Sequence, residues 1–183
     1  MTFLLILLVV VVLAVVALVL LYNNLVKLRN TIEGAWAQID VQLKRRYDLI
    51  PNLVETVKGY ATHEKETLDA VIRARNAAGA ASGPADQAQA EGMVTAALRQ
   101  VFALSEAYPD LKANQSFLSL QEELAGTEGR ISYARQYYND TVLRYNTKIQ
   151  TFPAVVIANA MQFKEREYFE ADDASRGPVD VKF

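Results

Sequence analysis

Hydrophobic positions follow two different rules along this chain. From Phe3 to Leu21 it reads FLLILLVVVVLAVVALVLL, 19 residues without a polar side chain. Beyond that run the apolar residues become periodic. Leu25, Leu28, Ile32, Trp36, Ile39, Leu43, Tyr47, Ile50, Leu53, Val57 and Tyr60 recur at steps of three and four, which places them on one face of a helix. Pro51 interrupts that face chemically, because it lacks the amide that would bond to Tyr47 and disfavours helical geometry at Ile50. The stripe keeps its phase across the proline, so the pattern predicts one kinked, continuous helix.

A further helix is expected from a Thr62 cap to about Ala78, with Leu68, Val71 and Ile72 inward. The segment Gly79 to Pro84 reads as a flexible turn, and Pro84 suits the first position of the next helix. That helix is expected to reach about Ala107, with Val94, Ala97, Leu98, Val101 and Leu104 inward. Tyr108 to Leu111 breaks the chain again. Asn114 or Ser116 can cap the last long helix, whose stripe is Phe117, Leu120, Leu124, Ile131, Tyr138, Val142, Tyr145 and Ile149. Phe152-Pro153 ends it, and Ala154 to Phe163 is expected to form a short closing helix. No alternation of period two appears, which argues against a sheet. The expected fold class is all-α: an N-terminal transmembrane helix followed by an antiparallel four-helix bundle of long helices. The expected organisation is an anchor over 1–22, a helical bundle over 23–170 and a flexible tail over 171–183.

At about 1.5 Å per residue the first run spans roughly 28 Å, close to the thickness of a bilayer core. A cleaved signal peptide would carry a basic leader, a shorter apolar core and a small-residue cleavage site, and none of these is present. An uncleaved single-pass anchor is therefore expected, with Tyr22 at the interface. Lys27 and Arg29 follow the run directly. The positive-inside rule then puts the short N-terminus outside and the C-terminal domain in the cytoplasm. The run holds no charge and no G-x-x-x-G motif, so it reads as an anchor and not as a channel.

Composition changes this picture in three places. The mean hydropathy of +0.04 averages two solvents, because all 40 charged residues lie at or after Lys27. A net charge of -2 gives no basic excess for nucleic-acid binding. The absence of Cys excludes disulfides, thiolate nucleophiles and zinc-thiolate sites. The single histidine, His63, cannot supply a bundle di-iron site, and no nucleophile motif accompanies it. It is expected at the surface or at a helix cap. Glu122, Glu123 and Glu128 read as a solvated face. Gly34, Gly59, Gly92, Gly126 and Gly129 are isolated within helical stretches and form no phosphate-cradling loop. No catalytic residue, metal ligand or cofactor is expected.

Two features remain. The basic cluster Lys44-Arg45-Arg46 can pair locally with Asp40 and Asp48, contact a partner protein, or meet anionic lipid if the helix bends back to the surface. The echo Tyr138-Asn139 and Tyr145-Asn146 places two tyrosines on one helical face. These read as core, with the asparagines bonding across helices.

Together these residues carry a resemblance. Tyr22-Asn23, Leu25-Val26-Lys27-Leu28-Arg29-Asn30, the string from Ala35 to Arg46 and Asp48-Leu49-Ile50-Pro51-Asn52-Leu53-Val54 resemble the LemA family of bacterial membrane-anchored proteins. So do Glu55 to Tyr60, Asn114-Gln115-Ser116-Phe117, Ala134-Arg135, Tyr138-Asn139-Asp140, Tyr145-Asn146, Phe152-Pro153 and Tyr168-Phe169-Glu170. The resemblance implies an N-terminal anchor, a short external N-terminus and a cytoplasmic four-helix bundle, with no active site. Members are often encoded beside membrane metalloproteases or other envelope proteins, and one relative takes part in building internal bacterial membranes. The expected function is a non-enzymatic scaffold that self-associates at the bacterial inner membrane. The alternative is a cytoplasmic-facing adaptor for an envelope protein such as a membrane metalloprotease. The expected partners are the lipid bilayer through Phe3 to Leu21, further copies of the chain, and an envelope protease or other membrane protein. Nucleic acid is not among them.

Overall fold

Every regular element among the described residues, 1–170 of the computed structural model, is a helix. The tail expected over 171–183 lies outside the described residues. In chain order the helices are α1 (Thr2–Lys58), α2 (Lys65–Ala80), α3 (Pro84–Leu104), α4 (Pro109–Lys112), α5 (Gln115–Gln150) and α6 (Ala154–Ala160). Four are long, as the periodicity predicts, and two are short. α4 is a single turn within the expected break at Tyr108 to Leu111, and α6 occupies the first part of the expected closing helix.

α1 runs without interruption from the apolar segment through Pro51. The proline leaves the Tyr47 carbonyl without its usual partner four residues on. Arg75 of α2 supplies the replacement, donating from Nε to that oxygen at 2.9 Å. The bond helps explain why a helix tolerates proline here.

Helix ends follow local chemistry, with two corrections. Pro84 opens α3 behind Gly83, whose φ of 88° lies in the left-handed region that a residue without Cβ enters freely. Asn114 Oδ1 accepts the Phe117 amide at 2.9 Å and caps α5. Thr62, however, does not cap α2, which starts at Lys65 behind a Glu64 that makes no side-chain cap bond. α3 also stops at Leu104, short of Ala107, and Ser105 to Tyr108 form turns.

The chain divides into two compact units. One comprises Met1–Ala37 and Gln136–Glu167. From Thr2 to Leu20 every side chain is exposed, so no protein core absorbs the apolar run. A buried core helix of a water-soluble fold would look different: this helix is long and apolar enough to cross a membrane, and its most apolar window is 0% buried. Past it, Leu25, Ile32 and Ala35 of α1, Tyr138, Val142, Tyr145 and Ile149 of α5, and Ala154, Ile157 and Ala158 of α6 are buried. Trp36 is half-buried and meets the Tyr138 ring edge-on at 5.5 Å.

The other unit comprises Gln38–Arg135 and the described chain from Tyr168 on. Its core draws on every helix it contains: Ile50, Leu53 and Val57 of α1, Leu68 and Val71 of α2, Val94, Leu98 and Val101 of α3, Leu111 of α4, and Phe117 and Leu124 of α5. Leu111 is fully buried, so the single turn of α4 serves to seat one leucine in that core. Tyr60 departs from the expected stripe. α1 has ended by then, the ring is exposed, and its hydroxyl accepts from Asn114 at 2.8 Å.

Candidate functional site

The bundle unit contains one large charged side chain with almost no access to solvent, Arg46, at 2% exposure. Burying a guanidinium without partners would be prohibitive, so its surroundings must neutralise it and satisfy its donors. They do. Arg46 Nη1 lies 3.2 Å from Glu91 Oε2 and 2.9 Å from Glu128 Oε2, and Nη2 donates to Thr95 Oγ1 at 2.6 Å. Glu91 is itself buried, and it accepts a second bond from the Tyr47 hydroxyl and a third from Gln87 Nε2 at 3.0 Å. Gln87 also reaches the Tyr47 hydroxyl oxygen at 2.9 Å and the Ala78 carbonyl at 3.1 Å. One connected network therefore ties α1, α2, α3 and α5 together.

Local helical spacing builds this site. On α1, Tyr47 belongs to the stripe with Leu43 and Ile50, and Arg46, three residues after Leu43 and four before Ile50, is turned to the same buried side. On α3, Gln87, Glu91, Val94, Leu98 and Val101 follow at steps of four, three, four and three, and all are buried. Gln87 and Glu91 thus continue the inward stripe toward its N-terminal end, with Thr95 four residues beyond Glu91 on a half-buried position. The apolar pattern marks this stripe only from Val94 onward and leaves its two polar members out. Their phase with Val94 was the available signal.

The basic cluster requires a correction. Its arginines do not pair with Asp40 or Asp48. Arg45 bridges to Glu123 at 2.7 Å and Arg46 to Glu91 and Glu128, all on other helices. For Arg46 sequence proximity lost because an inward-pointing guanidinium cannot reach carboxylates on its own helix's outer face, whereas Arg45 is exposed and reaches across to α5. Glu123 and Glu128 are accordingly half-buried and paired, not part of a purely solvated face, whereas Glu122 is exposed as expected. Lys44 is exposed. His63 is exposed in the turn before α2, and no cluster of metal-ligating side chains occurs among the described residues.

The electrostatics point to a locked structure. Burial raises the Glu91 carboxyl above its ordinary value, against the opposing pull of Tyr47, Arg46 and Gln87. Burial, reinforced by the hydrogen bond to Glu91 and its charge, raises the Tyr47 phenol strongly, so it stays protonated. A groove of about 270 Å³ runs beside the cluster, lined by Arg46, Thr95, Arg99, Phe102 and Glu128 among others. Arg46 turns Nη1 to Glu91 and Glu128 and Nη2 to Thr95, so its charge is balanced within the cluster. The polar groups of the cluster are bonded to one another across the helices.

A second polar arrangement lies in the other unit, where the Tyr-Asn echo resolves. Tyr138 donates to the Glu167 carbonyl at 2.9 Å and Tyr145 to the Lys164 carbonyl at 3.0 Å. Asn146 bonds Arg166 twice: Nδ2 donates to its carbonyl and Oδ1 accepts its amide, each at 2.9 Å. Gln150 adds a bond to Glu165 at 2.6 Å. Both tyrosine rings are core, as their spacing predicts. Asn146, however, does not bond across helices; it holds the non-helical segment after α6. A backbone amide and carbonyl next to each other match a carboxamide in both senses, which no second helix offers, because its backbone is already paired. Asn146→Ala should therefore cost about 1–3 kcal/mol. Urea unfolding in detergent would measure it, and the Arg166 amide should lose most of its hydrogen-exchange protection.

The model of the LemA family matches residues 35–183. The chain is similar to Protein LemA of Metamycoplasma hominis, 28% identical over 163 residues that cover 87% of this chain and 73% of that protein. It is also similar to Magnetosome protein MamQ 2 of Paramagnetospirillum magneticum, at 25% over 88% of this chain and 69% of that one. Magnetosome protein MamQ of Magnetospirillum gryphiswaldense stands at 24% with the same coverage.

Proposed function

Because the chain belongs to the LemA family, we propose that it is a non-enzymatic scaffold, held at the bacterial inner membrane by Phe3 to Leu21, that associates with further copies of itself. The observation that carries this reading is the closed network around Arg46. It engages a buried arginine, a buried glutamate and a tyrosine in fixing four helices against one another. Such an arrangement suits a part whose product is shape. Exposed apolar side chains on the same unit, including Val41, Met93, Leu118 and Tyr133, supply surface for lateral contact. Similarity to proteins named as magnetosome components favours a structural role over a catalytic one.

In this reading Lys27 and Arg29, directly after the span, hold the bundle on the cytoplasmic side with the start of the chain outside. Native mass measurement of the full chain in mild detergent tests the self-association. A defined oligomer is expected at micromolar concentration, and a strict monomer there would overturn the scaffold. An adaptor for an envelope protease is the second reading, favoured by the exposed Arg45 to Glu123 pair as a charged contact surface. In-cell crosslinking from Lys44 would then recover a membrane protease along with the chain itself.

A further inference from the structure

We propose that α6 and its flanks form a second membrane contact, in which the face carrying Phe152, Val156 and Met161 lies in the boundary between lipid headgroups and acyl chains beside the exit of the α1 span. The inference rests on the reading of Phe3 to Leu21 as that span.

Three observations converge on it. The first is depth. The apolar run has 19 residues, roughly 28 Å of helix, against a hydrocarbon core of about 30 Å. It has no length to spare, so Leu18 and Val19 remain in hydrocarbon. Those same residues, with Tyr22, line an open groove of about 470 Å³ whose other wall is Val156, Ile157 and Met161. Tyr22 also meets the Phe163 ring edge-on at 5.9 Å. α6 is thereby set at the level where the span leaves the lipid, within the depth that interfacial helices occupy.

The second is exposure. Phe152 is 84% exposed, Val156 60% and Met161 61%. Ile157 and Ala158 point inward and are buried, so α6 has one face on the protein, while Val156, Ala160 and Met161 face out together with the uncharged Asn159 and Gln162. The third is charge. From Phe152 to Phe163 the chain reads FPAVVIANAMQF, twelve residues without Asp, Glu, Lys or Arg, in a domain otherwise rich in them. Lys148 and Lys164 bracket the segment in sequence, Glu165 after it is engaged by Gln150 and followed by Arg166, and Arg29 lies over the Phe163 ring at 5.8 Å. An uncharged apolar face rimmed by cations matches the surface of a membrane containing anionic lipid. Water would leave the same face uncompensated.

Since the chain has no cysteine, single-cysteine variants each accept one label. An environment-sensitive fluorophore is placed at Phe152→Cys or Val156→Cys in the full chain, reconstituted into phosphatidylcholine–phosphatidylglycerol vesicles containing nitroxide-bearing lipid. Val12→Cys reports on the span and Met93→Cys on the aqueous bundle. The labels at 152 and 156 should be quenched several-fold more than that at 93 by a shallow nitroxide, and the label at 12 by a deep one. If 12 is quenched while 152 and 156 behave like 93, the second contact is overturned and the anchor stands. If 12 also escapes quenching, both readings fall. A fluorophore at 156 that is blue-shifted yet unquenched would mean that protein, such as a second copy, covers this face, which also overturns the proposal.

Discussion

Arg46→Met should lower the stability of the full chain in detergent by about 3–5 kcal/mol at neutral pH, read as a shift in the urea midpoint. Methionine nearly fills the volume of the arginine stem, so little of this is cavity. The cost comes from Glu91, which would remain buried among Tyr47 and Gln87 with its cation removed. Two comparisons isolate that cause. In the double variant Arg46→Met/Glu91→Leu, no buried charge is left over, and most of the loss should be recovered. The loss should also shrink toward acid pH. Burial already holds the Glu91 carboxyl above its ordinary value in the folded state. Its raised value means that the stability linked to its protonated form is present below the unfolded value and is lost as pH rises through the folded one. Removing Arg46, which pulls the value down, extends that window upward, so the variant is penalised most where the parent's Glu91 is charged. A loss below about 1 kcal/mol at neutral pH would mean that the cluster is open to water and is not a lock.

Val12→Arg should disturb membrane insertion by about 2.5–3.5 kcal/mol, the cost of a cation at the middle of a span. Val12 is the central residue of the run from Phe3 to Leu21, so an arginine there is as far as possible from either headgroup layer. Fractionation after alkaline extraction should move much of the protein out of the membrane pellet. Val41→Arg is the control: Val41 lies on the same helix, is exposed, and should leave the distribution unchanged. An unchanged pellet fraction for Val12→Arg would remove the anchor and, with it, the interfacial position of α6.

Much of this molecule was legible as pattern. A run of apolar residues needs no tertiary partner to be recognised, because its solvent is lipid and its length is set by the bilayer. The long helices followed from steps of three and four. Pro84 as the first residue of α3 and Asn114 as the cap of α5 followed from the backbone groups that every helix start leaves unpaired. Thr62 fails as a cap because α2 begins two residues beyond the position it could serve. Trp36 keeps the phase of the stripe, yet only the packed unit decides how much of so large a ring can be covered.

By itself, then, the sequence determined the helical class, the membrane-length run and the exclusion of thiolate chemistry, since each depends on residues near one another or on composition alone. Tertiary structure alone decided which charges meet. Arg46 lies 45 residues from Glu91 and 82 from Glu128, and nothing local names either of them as its partner. Likewise Arg75 stands in for the amide missing at Pro51, and Asn146 takes a backbone segment 20 residues on instead of a neighbouring helix. In each case burial selects the partner. A polar group removed from water must be satisfied by whatever the fold brings within about 3 Å, and only the packed chain says what that is.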